Sequence, residues 1–233
     1  MIEDSKNLGV LRAVALEPDE IEKIKSYSNS DIEVDLHIEG LDFIVVVANY
    51  RGKEHEFIRI IEQIKLVLDK KLYSDNDETL EECVVKNALA KGIRISVAES
   101  LTGGMLASRI VNVSGSSAVL YEGVVTYTNA SKVRRLHVKL STLKDHGAVS
   151  EETAREMASS LLSKEVDYVI STTGCAGPNS DENDTPIGLV YVGIADKNGV
   201  DIHELHLEGT RNQIRKSVTD IALILVLNKI LNK

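Results

Sequence analysis

Twelve of the fifteen glycines in this chain of 233 residues follow residue 80; only Gly9, Gly40 and Gly52 precede it. The charge changes at the same place. Residues 1–80 carry ten Lys/Arg against eighteen Asp/Glu, whereas residues 81–233 carry seventeen against eighteen. Glycine gathers where loops need positive φ or where backbone must approach a ligand, so chemistry is expected in the second part. The polar stretch Tyr73–Thr79 marks the change, which predicts two domains, residues 1–76 and 77–233, within a length that fits one large or two small domains. A hydrophobic fraction of 43% and a charged fraction of 27% exclude a largely disordered chain. The net charge of −9 opposes general attraction to nucleic acid or to an anionic membrane. No basic stretch leads into an apolar leader and no run approaches a membrane span, so a cytoplasmic location is expected. Cys83 and Cys175 do not make a disulfide framework.

The first part reads as a small acidic α+β unit. A strand is expected over Gly9–Leu16, and Pro18 followed by acids opens a helix. Ile32, Val34, Leu36 and Ile38 alternate with polar residues, and the segment starting at Leu41 supplies an antiparallel partner beyond a turn at Glu39-Gly40. Apolar residues at 57, 60, 61, 64, 68 and 72 predict a helix over His55–Leu72. In the second part, helices are expected from Thr79 to Gly92, after Gly104, from Ser150 and over Arg211–Leu231. Strands are expected over Ile93–Ala98, Tyr121–Thr128 and Val166–Gly174, with a hairpin turning at Lys197–Gly199. Three or four helices among about five strands predict a three-layer α/β/α sandwich on a mostly parallel mixed sheet.

Three segments can carry chemistry. In Ser96–Gly104, Glu99 and Ser100 end a strand, and Gly103-Gly104 lead into a helix, where unpaired amides can receive an anion. On its own, Ser100 reads as a helix cap or turn hydroxyl before it reads as a nucleophile. In Gly123–Val138, Tyr127 and Lys132 can serve Ser100, because a desolvated lysine of lowered pKa is a base for a serine hydroxyl. Read singly, they are a half-buried aromatic and a solvated charge. In Thr172–Gly193, Thr172 and Thr173 end a strand, and Gly174, Gly177 and Pro178 shape the loop over it. Cys175 reads as a small buried thiol, and the acidic run 181–184 as a loop tip without the spacing of a calcium loop. The histidines have no metal-ligand spacing. Arg134, Arg135, Arg211 and Arg215 are candidates for a phosphate or are surface charges; Arg211 and Arg215 share a helix face.

The segments VAESLTGG, SGSSAVLYEGVVTYTNASK, LKDHGAVSEETAREMA, TTGCAGP, TPIGLVYVGIA and GTRNQIR together resemble, in order and spacing, the C-terminal domain of the competence/damage-inducible CinA family, which is similar to the stand-alone nicotinamide-mononucleotide amidohydrolases. The resemblance covers residues 78–231, and residues 1–77 resemble the small linker domain of full-length members. Their larger molybdopterin-binding-like domain has no counterpart in this sequence, so no dinucleotide pyrophosphatase activity is expected. The resemblance implies hydrolysis of the carboxamide of nicotinamide mononucleotide. Ser100 falls on the nucleophile and Lys132 on the base, acting directly or through Tyr127. The turn amides of Thr102, Gly103 and Gly104 fall on the oxyanion site, and Thr173, Gly174, Ala176 and Gly177 on the substrate loop. Arg211 is expected at the phosphate. No metal or cofactor is implied; the partners are a pyridine mononucleotide and further copies of the chain, not nucleic acid or a membrane. Two departures stand out: Leu101 replaces the usual cysteine, and Asn179-Ser180-Asp181 replaces Asp-Gly-Gly. A non-catalytic nucleotide-binding or assembly module using the same crevice is the alternative.

Overall fold

The period-two alternation of Ile32, Val34 and Leu36 with Glu33, Asp35 and His37 builds β2 (Ile32–Glu39), which pairs antiparallel with β3 (Asp42–Asn49). β1 (Asn7–Val14) lies on the other side of β3, and the short β4 (Leu72–Ser74) closes the sheet in the order β2-β3-β1-β4. α1 (Pro18–Lys25) starts with Pro18 in its first turn, and the Glu20 carboxylate accepts the Glu17 N–H at 2.7 Å. α1 and α2 (Glu54–Leu68) bring Ile24, Ile60, Ile64 and Leu68 into one core with Leu11, Phe43, Val45 and Val47 of the sheet. α2 ends four residues before the expected Leu72. Asp69 turns the chain with φ +41° into a single 3-10 turn, Asp69–Lys71, and Leu72 then pairs with Ala13 instead of continuing the helix. The Tyr73 hydroxyl donates to Asp42 Oδ1 at 2.6 Å, and burial together with that carboxylate raises the phenol pKa. A strand is thereby favoured over the helix that local periodicity suggested.

The computed structural model describes residues 5–180 and 184–232, and the chain divides into two units, Met1–Cys83 and Val84–Lys233. The division falls in the first turn of α3 (Leu80–Lys91). The second unit continues with β5 (Ile95–Glu99), α4 (Met105–Val111), β6 (Leu120–Val125), α5 (Asn129–Leu136), α6 (Leu140–Asp145) and α7 (Glu151–Ser160). β7 (Tyr168–Gly174), β8 (Leu189–Asp196), β9 (Gly199–His206) and α8 (Arg211–Leu231) complete it. Its sheet runs β6-β5-β7-β8-β9. β5 is parallel to both its neighbours, while β8 is antiparallel to β7 and to β9, so four of the five strands point the same way. α4 and α8 cover one face, and α7, with α5 and α6 against it, covers the other. This is the expected three-layer sandwich. The short helices α5 and α6 have no periodic signature in the sequence, because eight and six residues are too few to show a stripe.

α8 is long because it is buried along most of its length. Ile214, Val218, Ala222, Val226 and Ile230 recur every four residues, with Leu223 and Leu227 beside them, and all seven are buried. Thr210 caps it, accepting from the Gln213 N–H, so Arg211 and Arg215 fall in its first two turns. At the opposite edge, a two-residue turn at Lys197-Asn198 joins β8 to β9, as the hairpin expectation required.

The Thr79–Glu82 capping box stays intact in a chain that starts at Asp77: the Glu82 carboxylate accepts the Thr79 N–H at 2.7 Å. We therefore expect residues 77–233 alone to show a single cooperative thermal transition and a native-like far-ultraviolet circular dichroism spectrum. An unfolded or aggregated product would contradict the proposed division into domains.

Candidate active site

The carboxyl ends of three parallel strands form the floor of the site, the usual ligand position in an open α/β sheet. The ladder continues one step past β5: the Ser100 N–H donates to Thr172 O at 2.9 Å, and the Thr126 N–H donates to Glu99 O at 2.8 Å. Ser100 is thus fixed between the ends of β6 and β7. The chain then turns sharply through Gly103 and Gly104, whose φ values of +63° and +94° suit residues without Cβ, and enters α4.

The buried Glu99 carboxylate anchors that turn. It accepts the amides of Gly104 and Leu106 on one oxygen (2.9 and 3.1 Å) and that of Ala107 on the other (2.9 Å). A carboxylate at a helix N-terminus is favoured by both hydrogen bonding and the helix dipole. From α8, Arg215 holds the acceptor side of the same turn, donating from Nε to Leu101 O at 2.9 Å and from a terminal nitrogen to Thr102 O at 2.8 Å.

Lys132 reaches the serine from α5. Thr128 caps that helix by accepting the Ser131 N–H, which places Lys132 one turn in. The lysine side chain is 1% exposed, and its Nζ donates to Ser100 Oγ at 2.8 Å and to Thr126 O at 2.9 Å. Burial pushes its pKa down from 10.5 to about 8, and no carboxylate opposes the shift. At 2.8 Å, a neutral amine would place its lone pair within reach of the serine proton.

Ser100 and Lys132 open onto a cleft of about 340 Å³, within the range for small-molecule sites. Its other walls include Tyr127, Asn129, the loop 173–177 and Arg211. Tyr127 is 58% exposed, and its hydroxyl accepts from Arg211 at 2.5 Å, not from Lys132. Arg211 also donates to Gly177 O at 2.6 Å. A Cβ on Gly174 would stand 2.9 Å from both Leu189 O and Val190 Cα, so β8 lies too close for any side chain there. Thr173 ties the loop before α7 by donating to Ala148 O at 2.6 Å. Cys175 is a buried thiol against Asn179 O. No Asp or Glu is found among the described lining residues, and among the described residues no group of three or more His, Cys, Asp or Glu is placed to hold a metal.

The CinA C-terminal domain model matches residues 77–230. This chain belongs to the CinA family. It is similar to a putative competence-damage inducible protein of Alkaliphilus oremlandii, 44% identical over 197 residues, covering 83% of this chain and 48% of the relative. It is also similar to one of Caldicellulosiruptor saccharolyticus, 36% identical over 231 residues, covering 96% of this chain and 56% of the relative, a match that extends into the first unit. The chain thus spans about half the length of these relatives. Among solved structures, the competence/damage inducible protein CihA of Agrobacterium tumefaciens matches 64% of this chain and 93% of its own, with 36% identity and a TM-score of 0.60. A CinA superfamily protein of Klebsiella pneumoniae matches 67% of this chain and 100% of its own, with 28% identity and a TM-score of 0.63.

Within this CinA domain, the sequence-expected residues separate into two groups. Ser100, Tyr127, Lys132, Thr173, Gly174, Ala176, Gly177 and Arg211 all line the cleft. Thr102, Gly103 and Gly104 do not. The Thr102 side chain is buried against Thr172 Oγ1 at 2.8 Å, the Gly103 N–H donates to Ser100 O, and the Gly104 N–H is taken by Glu99. The Gly103 and Gly104 amides expected as oxyanion donors are therefore already occupied. Leu101, Ala176 and Gly177 line the cleft, and among the described residues their amides have no hydrogen-bond partner. Arg215 is committed to the turn, and so is not the phosphate candidate suggested by its spacing from Arg211. Sequence reasoning missed the role of Glu99, although an acid directly before a Gly-Gly helix start was the available signal. Of the acidic run 181–184, only Asp184 lies within the described residues.

Burial of Lys132 has a pH signature in stability. Its pKa is about 8 in the folded chain and near 10.5 when unfolded, so between these values the unfolded state binds more protons and stability rises with pH. Below pH 8 both states are protonated and the penalty is fully present. Denaturant titrations of wild type and Lys132→Met should therefore move apart in favour of wild type, by up to about 3 kcal/mol, from pH 8 to 10.5. Parallel profiles would show that the lysine is not desolvated.

Proposed function

We propose that this CinA domain hydrolyses the carboxamide of nicotinamide mononucleotide to nicotinate mononucleotide and ammonia. The observation that carries the reading is the 2.8 Å contact between Ser100 Oγ and the Nζ of a buried lysine whose pKa is about 8. A serine next to an ordinary lysine would face a protonated partner at neutral pH; desolvation leaves part of this one as free amine. The resemblance to the nicotinamide-mononucleotide amidohydrolases supplies the substrate, and the charge of the cleft supports it. Arg211 lines the cleft with no described carboxylate beside it, which suits a phosphate-bearing substrate in a protein that is acidic overall.

In this mechanism Lys132 takes the Ser100 proton as Oγ attacks the carboxamide carbon. The oxyanion is received by the unpaired amides on the cleft wall, Leu101 beside the nucleophile and Ala176 or Gly177 opposite. One such donor contributes about 2.7–4 kcal/mol. The lysine then delivers its proton to the departing nitrogen, ammonia leaves, and Ser100 is acylated. Water, deprotonated by the same amine, attacks the ester; Ser100 recovers its proton and the carboxylate product is released. Tyr127 and Arg211 bind the nucleotide in this scheme, with proton transfer running directly between Ser100 and Lys132.

Purified protein should release ammonia from nicotinamide mononucleotide, with kcat/KM rising through an apparent pKa near 8 as Lys132 loses its proton. Ser100→Ala and Lys132→Ala should each remove most of the rate, without additivity in the double variant. Charge reversal at Arg211 should raise KM. Cys175→Ser should be nearly silent. Nucleotide binding without ammonia release would favour the non-catalytic module, and turnover retained in Ser100→Ala would remove the serine from its role.

A further inference from the structure

We infer that Arg215 is a positioning residue that orients the Leu101 amide beside the nucleophile, an inference that rests on the serine-hydrolase reading above. Arg215 does not line the cleft. It acts through two rigid peptide groups. Its terminal nitrogen donates to Thr102 O at 2.8 Å. That carbonyl shares a planar peptide group with the Gly103 N–H, which donates to Ser100 O at 3.1 Å. The Ser100 carbonyl in turn shares a peptide group with the N–H of Leu101, the cleft residue next to the nucleophile. In a trans peptide the C=O and N–H point in opposite directions and cannot rotate independently. Fixing Thr102 O from α8 therefore fixes the Gly103 N–H, which fixes Ser100 O and with it the direction of the Leu101 N–H. The second donation, from Nε to Leu101 O at 2.9 Å, secures the peptide group between these two.

The turn needs this restraint because its glycines supply none. Gly103 and Gly104 both have positive φ, and glycine is free to leave that conformation. Glu99 holds only the helix side, through the amides of Gly104, Leu106 and Ala107. The carbonyls of Leu101 and Thr102 are the remaining handles; Thr102 O also accepts the Met105 N–H at 3.2 Å, and Arg215 alone reaches both, a planar fork of fixed geometry suiting two acceptors on successive residues better than an ammonium does. The fit is close: a Cβ on Gly103 would stand 3.3 Å from the Arg215 terminal nitrogen.

The test combines steady-state kinetics with covalent labelling. The wild-type 233-residue chain and its Arg215→Lys, Arg215→Gln and Arg215→Ala variants are treated with a fluorophosphonate, and the Ser100 adduct is followed by mass spectrometry. The phosphonyl oxygen requires the same oxyanion donors as the substrate, and the label reports on the serine whichever amide is the natural substrate. Arg215→Gln and Arg215→Ala should be labelled about 10- to 100-fold more slowly, the scale expected for a displaced catalytic group. Arg215→Lys, which keeps the stem and the charge, should be intermediate and guards against loss of fold. With nicotinamide mononucleotide, kcat should fall while KM and the pH limb near 8 stay in place, and millimolar guanidinium should restore Arg215→Ala. Unchanged labelling in folded Arg215→Gln, or a rise in KM with kcat intact, would overturn the positioning role while leaving the serine reading standing. A wild-type Ser100 that resists the label would overturn the serine reading, and the positioning role with it.

Discussion

A lysine side chain removed from water loses hydration that two hydrogen bonds do not replace, and Lys132 is in that position. Its amine meets one hydroxyl and one backbone carbonyl, with no carboxylate to offset the charge. The energetic result is a site that disfavours its own ammonium form, which is the condition for the amine to act as a base near neutral pH. The rest of the second unit can be read as the scaffold that keeps this arrangement dry and fixed. β5 delivers Ser100 between two parallel neighbours, the cap at Thr128 aims α5, and α7 covers the same side of the sheet.

The opposite face supplies rigidity at the nucleophile. Glu99 and Arg215 hold the turn after Ser100 from its donor and acceptor sides. Arg211, one helical turn before Arg215 on α8, ties Tyr127 to the loop at Gly177. A single helix thereby reaches both the nucleophile turn and the far wall of the cleft. Its own placement comes from the buried stripe from Ile214 to Ile230. Packing along α8 and geometry at Ser100 are therefore linked, and a core substitution such as Val218→Ala acts on the site through α8, although it touches neither Ser100 nor Lys132.

Much of this fold is legible in local sequence patterns. Period-two alternation located β2 and β3, the Thr79–Glu82 capping box located the start of α3, and the hairpin at Lys197 needed only its turn residues. Ser100, Tyr127 and Lys132 are legible through motif resemblance, and Arg211 as a cation at the start of the last helix. What escaped was non-local. α2 stops at Leu68 because Leu72 finds a partner in β1, which its own stripe cannot reveal. The amides of Gly103 and Gly104 looked available because helix starts usually leave such groups unpaired; Glu99, a strand-end residue with no periodic signature, had already taken one of them. Arg215 lies 113 positions from Thr102 along the chain, and its spacing from Arg211 suggested a shared ligand where the structure divides their tasks.

The account depends on the protonation of one amine, and that can be observed without any substrate. Lysine labelled with carbon-13 at Cε reports its own titration by nuclear magnetic resonance, and Lys132→Met identifies the signal. A Lys132 midpoint near pH 8, well below the other lysines, is the result expected of a desolvated amine held against Ser100. A midpoint at the ordinary value of 10.5 would mean that the ammonium is hydrated or paired, and the proposed base would be protonated at neutral pH.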